Sequence, residues 1–103
     1  MPKGEYYTPT PLDFAILENL PEKGILGGLR WAGRPAKYVR EDINRDAPKD
    51  LAVTISEVQA RLRSMHVEGH IEPFAGGSGG SKIWARTEKG TAFLATKEEV
   101  LGL

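Results

Sequence analysis

The side chains best suited to chemistry lie between residues 37 and 86, and they are hydrogen-bonding groups and cations rather than nucleophiles. The densest set is Thr54, Ser56, Gln59, Ala60, Arg61 and Arg63. At 100° per residue, Ser56, Ala60 and Arg63 point away from an apolar stripe of Ile55, Val58, Leu62 and Met65. Gln59 and Arg61 flank that stripe on opposite sides. An amide such as Gln59 can pair bidentately with adenine, a guanidinium with guanine, and a small residue such as Ala60 can meet a thymine methyl. Ser56 suits a base or a phosphate, while Arg61 and Arg63 suit phosphates. Thr54 and Glu57 form a capping box, which gives Glu57 a structural task. Any solvated amphipathic helix displays polar residues opposite its apolar stripe, so residue types alone leave both readings open.

A second set follows a glycine-rich stretch: Ser81, Lys82 and Arg86. In an extended strand Lys82 and Arg86 share one face, and Ile83 and Ala85 take the other. Such cations can grip a phosphate backbone or enter a minor groove; equally, they can be the solvent-facing charges of a hairpin. Lys37 opens a helix whose free amides also suit phosphate. Arg34 and Arg40 read as surface charge. His66 and His70 are four apart with Glu68 between them, the spacing of a helical metal pair, but Gly69 interrupts the helix and no third ligand stands nearby. They read as structural or surface histidines. No Ser-His-acid arrangement or paired carboxylates stand out. Gly76 to Gly80 is not a phosphate loop, because Ser81-Lys82 leads into a strand. Trp31, Trp84, Phe14 and Phe93 read as core or interface residues. The expectation is a noncatalytic protein with no cofactor and no metal.

Four helices and a hairpin must position these groups. Thr10-Pro11-Leu12-Asp13 is a helix start, with Thr10 as cap and Asp13 at the capping-box position. Leu12, Ile16 and Leu20 form its stripe beside Phe14 and Leu17, and Pro21 and Gly24 end it. Gly24 to Gly33 reads as a connection that buries Leu26, Leu29 and Trp31. Pro35 opens a second helix running to about Asn44, with Ala36, Val39 and Ile43 inward. Arg45 to Val53 is a connection broken by Pro48. The third helix runs from Thr54 to Glu68, and Gly69 supplies a left-handed cap. His70 to Phe74 and Lys82 to Arg86 are strands of a hairpin with a Gly-rich tip. Thr87 caps a last helix that carries Ala92, Phe93, Val100 and Leu101, with Gly90 weakening its start. The division is a flexible N-terminal arm at 1–9, one domain at 10–95, and a helix end or tail at 96–103.

The 103 residues suit one modest core. No cysteine is present, which excludes disulfides, thiolate metal sites and a Cys nucleophile, and fits a cytoplasmic setting. No apolar run reaches the length of a membrane span or signal-peptide core, so no membrane association is expected. Fourteen basic residues balance 14 acidic ones, yet residues 30–89 hold 11 Lys/Arg against 8 acids. The middle of the chain is thus locally basic within a neutral whole.

The pattern Ser56-x-Val58-x3-Leu62-x2-Met65-x3-Gly69-x-Ile71 resembles the winged helix-turn-helix regulators of the MarR, PadR and ArsR kind, which include small phage repressors. Trp84-x2-Thr87-Glu88-Lys89-Gly90-x2-Phe93-Leu94 is similar to that family's exit from the wing into its next helix. Three departures stand beside the likeness: the long 45–53 connection, Arg86 at a customarily apolar position, and the neutral net charge. The resemblance implies an α+β winged helix-turn-helix fold, with a three-helix core, a two-stranded wing and a short C-terminal helix. It implies sequence-selective binding of double-stranded DNA by a repressor-like transcriptional regulator. The third helix would enter the major groove and the wing would hold the backbone or minor groove, through Lys37, Thr54, Ser56, Gln59, Ala60, Arg61, Arg63, Ser81, Lys82 and Arg86. A homodimer is compatible with so small a module. The alternative is a winged helix that contacts a protein partner instead of DNA.

Overall fold

The computed structural model describes residues 7–22, 34–48, 51–75 and 82–102. The expectations for residues 1–6 of the arm at 1–9, the connection at 24–33 with Leu26, Leu29 and Trp31, and the hairpin tip at 76–81 with Ser81 lie outside the described residues.

The described chain is α+β, with five helices and a small antiparallel sheet. In chain order the elements are α1 (Pro11–Glu18), β1 (Arg34–Pro35), α2 (Ala36–Asp46), α3 (Ile55–Val67), β2 (Ile71–Ala75), β3 (Lys82–Arg86), α4 (Glu88–Leu94) and α5 (Lys97–Leu101). Both capping boxes form: Thr10 with Asp13 on α1, and Thr54 with Glu57 on α3. Each satisfies two backbone donors that a helix start otherwise leaves open. Glu57 is therefore a cap, with its Oε1 accepting from Thr54 N–H at 3.1 Å.

The expected two-stranded hairpin forms, and a third short strand joins it in one sheet. Its order is β1-β3-β2, because Arg34 and Pro35 pair antiparallel with Trp84 and Ile83. Pro35 consequently serves two elements, ending β1 and standing as the N-cap of α2 with extended backbone. A proline pre-set near φ −65° suits both positions. The β2–β3 hairpin runs in register from Ile71↔Arg86 to Ala75↔Lys82. Pro73 is accommodated because β2 is an edge strand.

The end of the chain also differs. The expected single last helix is two, separated at Ala95 and Thr96. Thr96 turns its hydroxyl onto the Phe93 carbonyl at 2.7 Å, a local bond that competes with helix continuation.

The core joins α1, α2, α3 and the sheet. Ile16, Leu17, Leu20, Val39, Val58, Leu62, Met65, Ile71 and Trp84 pack as one cluster. Three of the four α3 stripe residues, Val58, Leu62 and Met65, are fully or almost fully buried. The C-terminus of α3 closes with a Schellman arrangement. Gly69 adopts φ +83°, its N–H bonds His66 O, and His70 N–H reaches Met65 O. That turn delivers the chain directly into β2.

The long 45–53 connection is held at its far end. The Asn44 side chain donates to Val53 O at 2.9 Å and accepts from Val53 N–H at 2.8 Å, as a neighbouring strand would, and Arg40 Nε donates to the same carbonyl. The start of α3 is thus fixed against α2 despite the extra chain.

The α4 junction shows why Gly90 stands where it does. A Cβ at Gly90 would collide with the backbone carbonyl of His70. Thr87 N–H donates to that same carbonyl, the Thr87 hydroxyl donates to Gly69 O at 2.7 Å, and Lys89 Nζ reaches Glu68 O at 2.6 Å. The run Thr87 to Gly90 is therefore a clasp between α4 and the end of α3.

Candidate nucleic-acid interface

One side of α3 faces an open cleft of about 520 Å³. Its lining combines an apolar floor, including Leu62 and Trp84, with Lys37 from the start of α2, Gln59 and Arg63 from α3, and Lys82 from β3. None of the described residues that line it is acidic. All four polar side chains are exposed. Lys37 Nζ lies 5.8 Å from the Tyr38 ring centroid, and the side chains of Gln59, Arg63 and Lys82 make no hydrogen bond or ion pair with the described residues.

The start of α2 adds to this field. Pro35 offers its first-turn amides no side-chain cap, and no acidic residue occupies that turn. The positive end of an 11-residue helix therefore opens beside Lys37. Together these groups attract anions, and an amide among them adds directional hydrogen bonding.

The other side of α3 is closed. Arg61 is engaged in the fold, in contrast to the phosphate contact expected of it. Its Nε meets Asp13 Oδ1 at 2.6 Å, and its Nη2 meets Asp13 Oδ2 at 2.7 Å and Thr8 O at 3.1 Å. Asp13 is 0 % exposed and also accepts from the Tyr7 hydroxyl at 2.8 Å and Thr10 N–H at 3.2 Å. The fork of a guanidinium matches this carboxylate bidentately. The hydrogen bond to Asp13 holds the Arg61 pKa above its usual range. Burial, then the bond to Asp13, pushes the Tyr7 phenol well above its own.

Arg86 is likewise turned inward from the strand. It donates to Leu17 O at 2.8 Å and Thr91 Oγ1 at 3.0 Å, and pairs with Glu22 at 3.3 Å. Lys82 and Arg86 thus share a strand face in the sequence pattern but not a function. Trp84, between them on that face, is buried, so both faces of β3 are covered at its centre.

The remaining candidates distribute simply. Ser56 and Ala60 are exposed on α3 outside the cleft lining, and Thr54 is occupied as the α3 cap. Ser81 lies outside the described residues. The two histidines have separate surroundings. His66 is exposed, with its ring edge-on to Trp84 at 5.6 Å. His70 is 5 % exposed, stacks on Phe93 at 4.3 Å and meets Tyr7 edge-on. Its Nδ1 is buried without a hydrogen-bond partner among the described residues. Burial, followed by the nearby charge of Lys89, lowers its pKa below 6.5. Among the described residues no group of three or more His, Asp or Glu could hold a metal, and no helix is long and apolar enough to cross a membrane.

No family model, curated protein or solved structure matches the chain. The geometry of this face is accordingly the basis for reading its function.

Sequence reasoning placed Lys37, Gln59, Arg63 and Lys82 in three separate elements without showing that they meet. It missed the Asp13–Arg61 pair altogether. One signal was available: Asp13 lies on the first turn of an apolar helix, and Arg61 lies on the flank of the α3 stripe opposite Gln59. A charge at the margin of a buried stripe is well placed to meet a partner across a helix contact.

Proposed function

We propose that this protein is a winged helix that binds duplex DNA without catalysis, acting as a repressor-like regulator. The observation that carries the reading is the cleft in which Lys37, Arg63 and Lys82 surround Gln59 with no acid among the described lining residues. The order of elements supports it. Helix α3 runs through a single glycine turn into the β2–β3 hairpin, so a helix face and a hairpin lie side by side. In this reading α3 presents Ser56, Gln59, Ala60 and Arg63 to the major groove. Lys37, the open amides of α2 and Lys82 hold phosphates on either side.

The neutral net charge does not oppose this, because acids elsewhere leave the cleft itself cationic. It does predict weak long-range attraction and an affinity that depends on close contacts. The test is electrophoretic mobility shift on mixed-sequence duplex DNA at two salt concentrations. The expected result is a shift at low salt that weakens steeply as salt rises, with a shallower salt slope in Lys82→Ala. Failure to shift duplex at low salt, with the chain folded, overturns the reading.

A further inference from the structure

The division of α3 into an open and a closed side narrows what the open side can read. Of its two arginines, Arg61 is held by Asp13, and Arg63 lies beside Gln59 in the cleft with its side chain unpaired among the described residues. Gln59 and Arg63 are four residues apart on one helix, hence neighbours on the same face. They project from backbone positions about 6 Å apart along the helix axis. Successive base pairs stack about 3.4 Å apart, so this offset corresponds to no more than two base steps. Gln pairs bidentately with the N6/N7 edge of adenine, and Arg with the O6/N7 edge of guanine.

We infer that Gln59 and Arg63 are the specificity-determining pair of this protein, reading an adenine and a guanine within two base steps of each other in the major groove. The inference rests on the duplex-binding reading above and deepens it. Lys37 and Lys82 flank the pair from α2 and β3, and as mobile point charges they set register on the phosphates without selecting sequence. Arg63 changes role from the expected phosphate contact to a base reader. The cleft already holds two lysines for the backbone, and a planar fork adjacent to an amide is suited to a base edge.

The experiment is selection of bound sequences from a randomised duplex pool. It uses the full chain and the variants Gln59→Ala and Arg63→Ala, at one low salt concentration. Both residues are exposed and their side chains make no hydrogen bond or ion pair with the described residues, and circular dichroism melting checks that both variants fold. The wild-type chain is expected to enrich adenine and guanine within two base steps. Gln59→Ala should lose the preference at the adenine alone, and Arg63→Ala at the guanine alone, each by about 5- to 150-fold in discrimination. Loss of affinity in Arg63→Ala that is equal for all sequences returns Arg63 to the phosphates and overturns the inference. So does enrichment of other bases, or retention of duplex with no enriched motif, and both outcomes leave duplex binding standing. A wild-type chain that retains no duplex overturns both this inference and the proposed function.

Discussion

The two flanks of α3 carry arginines two residues apart with opposite fates. Arg61 faces α1 and the segment before it, where a buried carboxylate and a backbone carbonyl accept from its guanidinium and the Tyr7 ring lies 5.7 Å away. Arg63 faces the space between α2 and β3, where the described neighbours are apolar side chains, two lysines and the neutral amide of Gln59. Both residues have the same chemistry, and the helix gives both the same local geometry. What separates them is the element packed alongside. Where α1 offers Asp13, the cation becomes part of the fold; where the described cleft residues offer no acid, the cation stays exposed.

The sharpest way to break that comparison is to remove Asp13. Asp13→Ala leaves Arg61 without its carboxylate, opens the α1 cap and deprives Tyr7 of its acceptor. Losing the capping oxygen together with charge-assisted bonds to a partly buried arginine costs about 2–4 kcal/mol, a large part of the stability of a small domain. Urea unfolding should therefore show a strongly lowered midpoint. A midpoint within experimental error of the wild type would mean that the pair is dispensable and that Arg61 is as free as Arg63.

Gly90→Ala is expected to come next. The added methyl meets the His70 carbonyl, a backbone atom fixed by the Schellman turn and by Thr87, so the neighbour cannot simply rotate away. Overpacking of this kind costs about 1–3 kcal/mol, read as a lower melting temperature. The same junction lies at the back of α3, so any accompanying loss of duplex binding should track the loss of folded protein.

The direct sharpening is the pair Arg61→Ala and Arg63→Ala measured side by side. Arg61→Ala should destabilise, because Asp13 stays buried without its counterion. Arg63→Ala should change stability by no more than about 0.5 kcal/mol, as for an exposed surface site, and act on duplex binding instead. If both variants weaken binding at equal folded concentration and neither alters stability, the two flanks are equivalent and the division drawn here fails.

How much of this was legible in the sequence follows the same line. The α3 stripe, its capping box and Gly69 were readable because local hydrogen bonding and period fix them, and Val58, Leu62 and Met65 are buried as the period requires. The first helix start was readable for the same reason. Strand β1 was not: two residues carry no period, and Pro35 reads as a helix opener whether or not it also pairs with Ile83. The break between α4 and α5 depends on a single threonine hydroxyl. In the site, the residue types were legible and their company was not. Lys82 and Arg86 share one strand face by alternation, yet Arg86 is drawn inward by a carbonyl of α1 some seventy positions earlier in the chain. Alternation assigns a face, and only tertiary contact assigns what waits on it.

The smallest expected effect concerns His70, which belongs to the closed side. Its ring lies between Phe93 and Tyr7 with a buried Nδ1 that is unpartnered among the described residues, and its pKa is lowered chiefly by burial. In the unfolded chain the imidazole takes up its proton near pH 6.5; in the folded chain it resists until lower pH. Above about pH 6.5 both states are neutral and the residue contributes no pH dependence. As pH falls below that value the unfolded state binds the proton first, so stability declines, with a slope no steeper than about 1.4 kcal/mol per pH unit for one group. Unfolding midpoints between pH 7.5 and 5.5 should therefore fall, and His70→Phe, which keeps an aromatic ring in the stack, should flatten that dependence. In the proposed reading duplex binding draws on Lys37, Gln59, Arg63 and Lys82, and His70 is not among the described residues that line their cleft. Duplex affinity per folded molecule should then stay level while stability falls. If the affinity itself fell with pH along the His70 titration, and levelled in His70→Phe, the closed side would be coupled to the open one and α3 would no longer separate them.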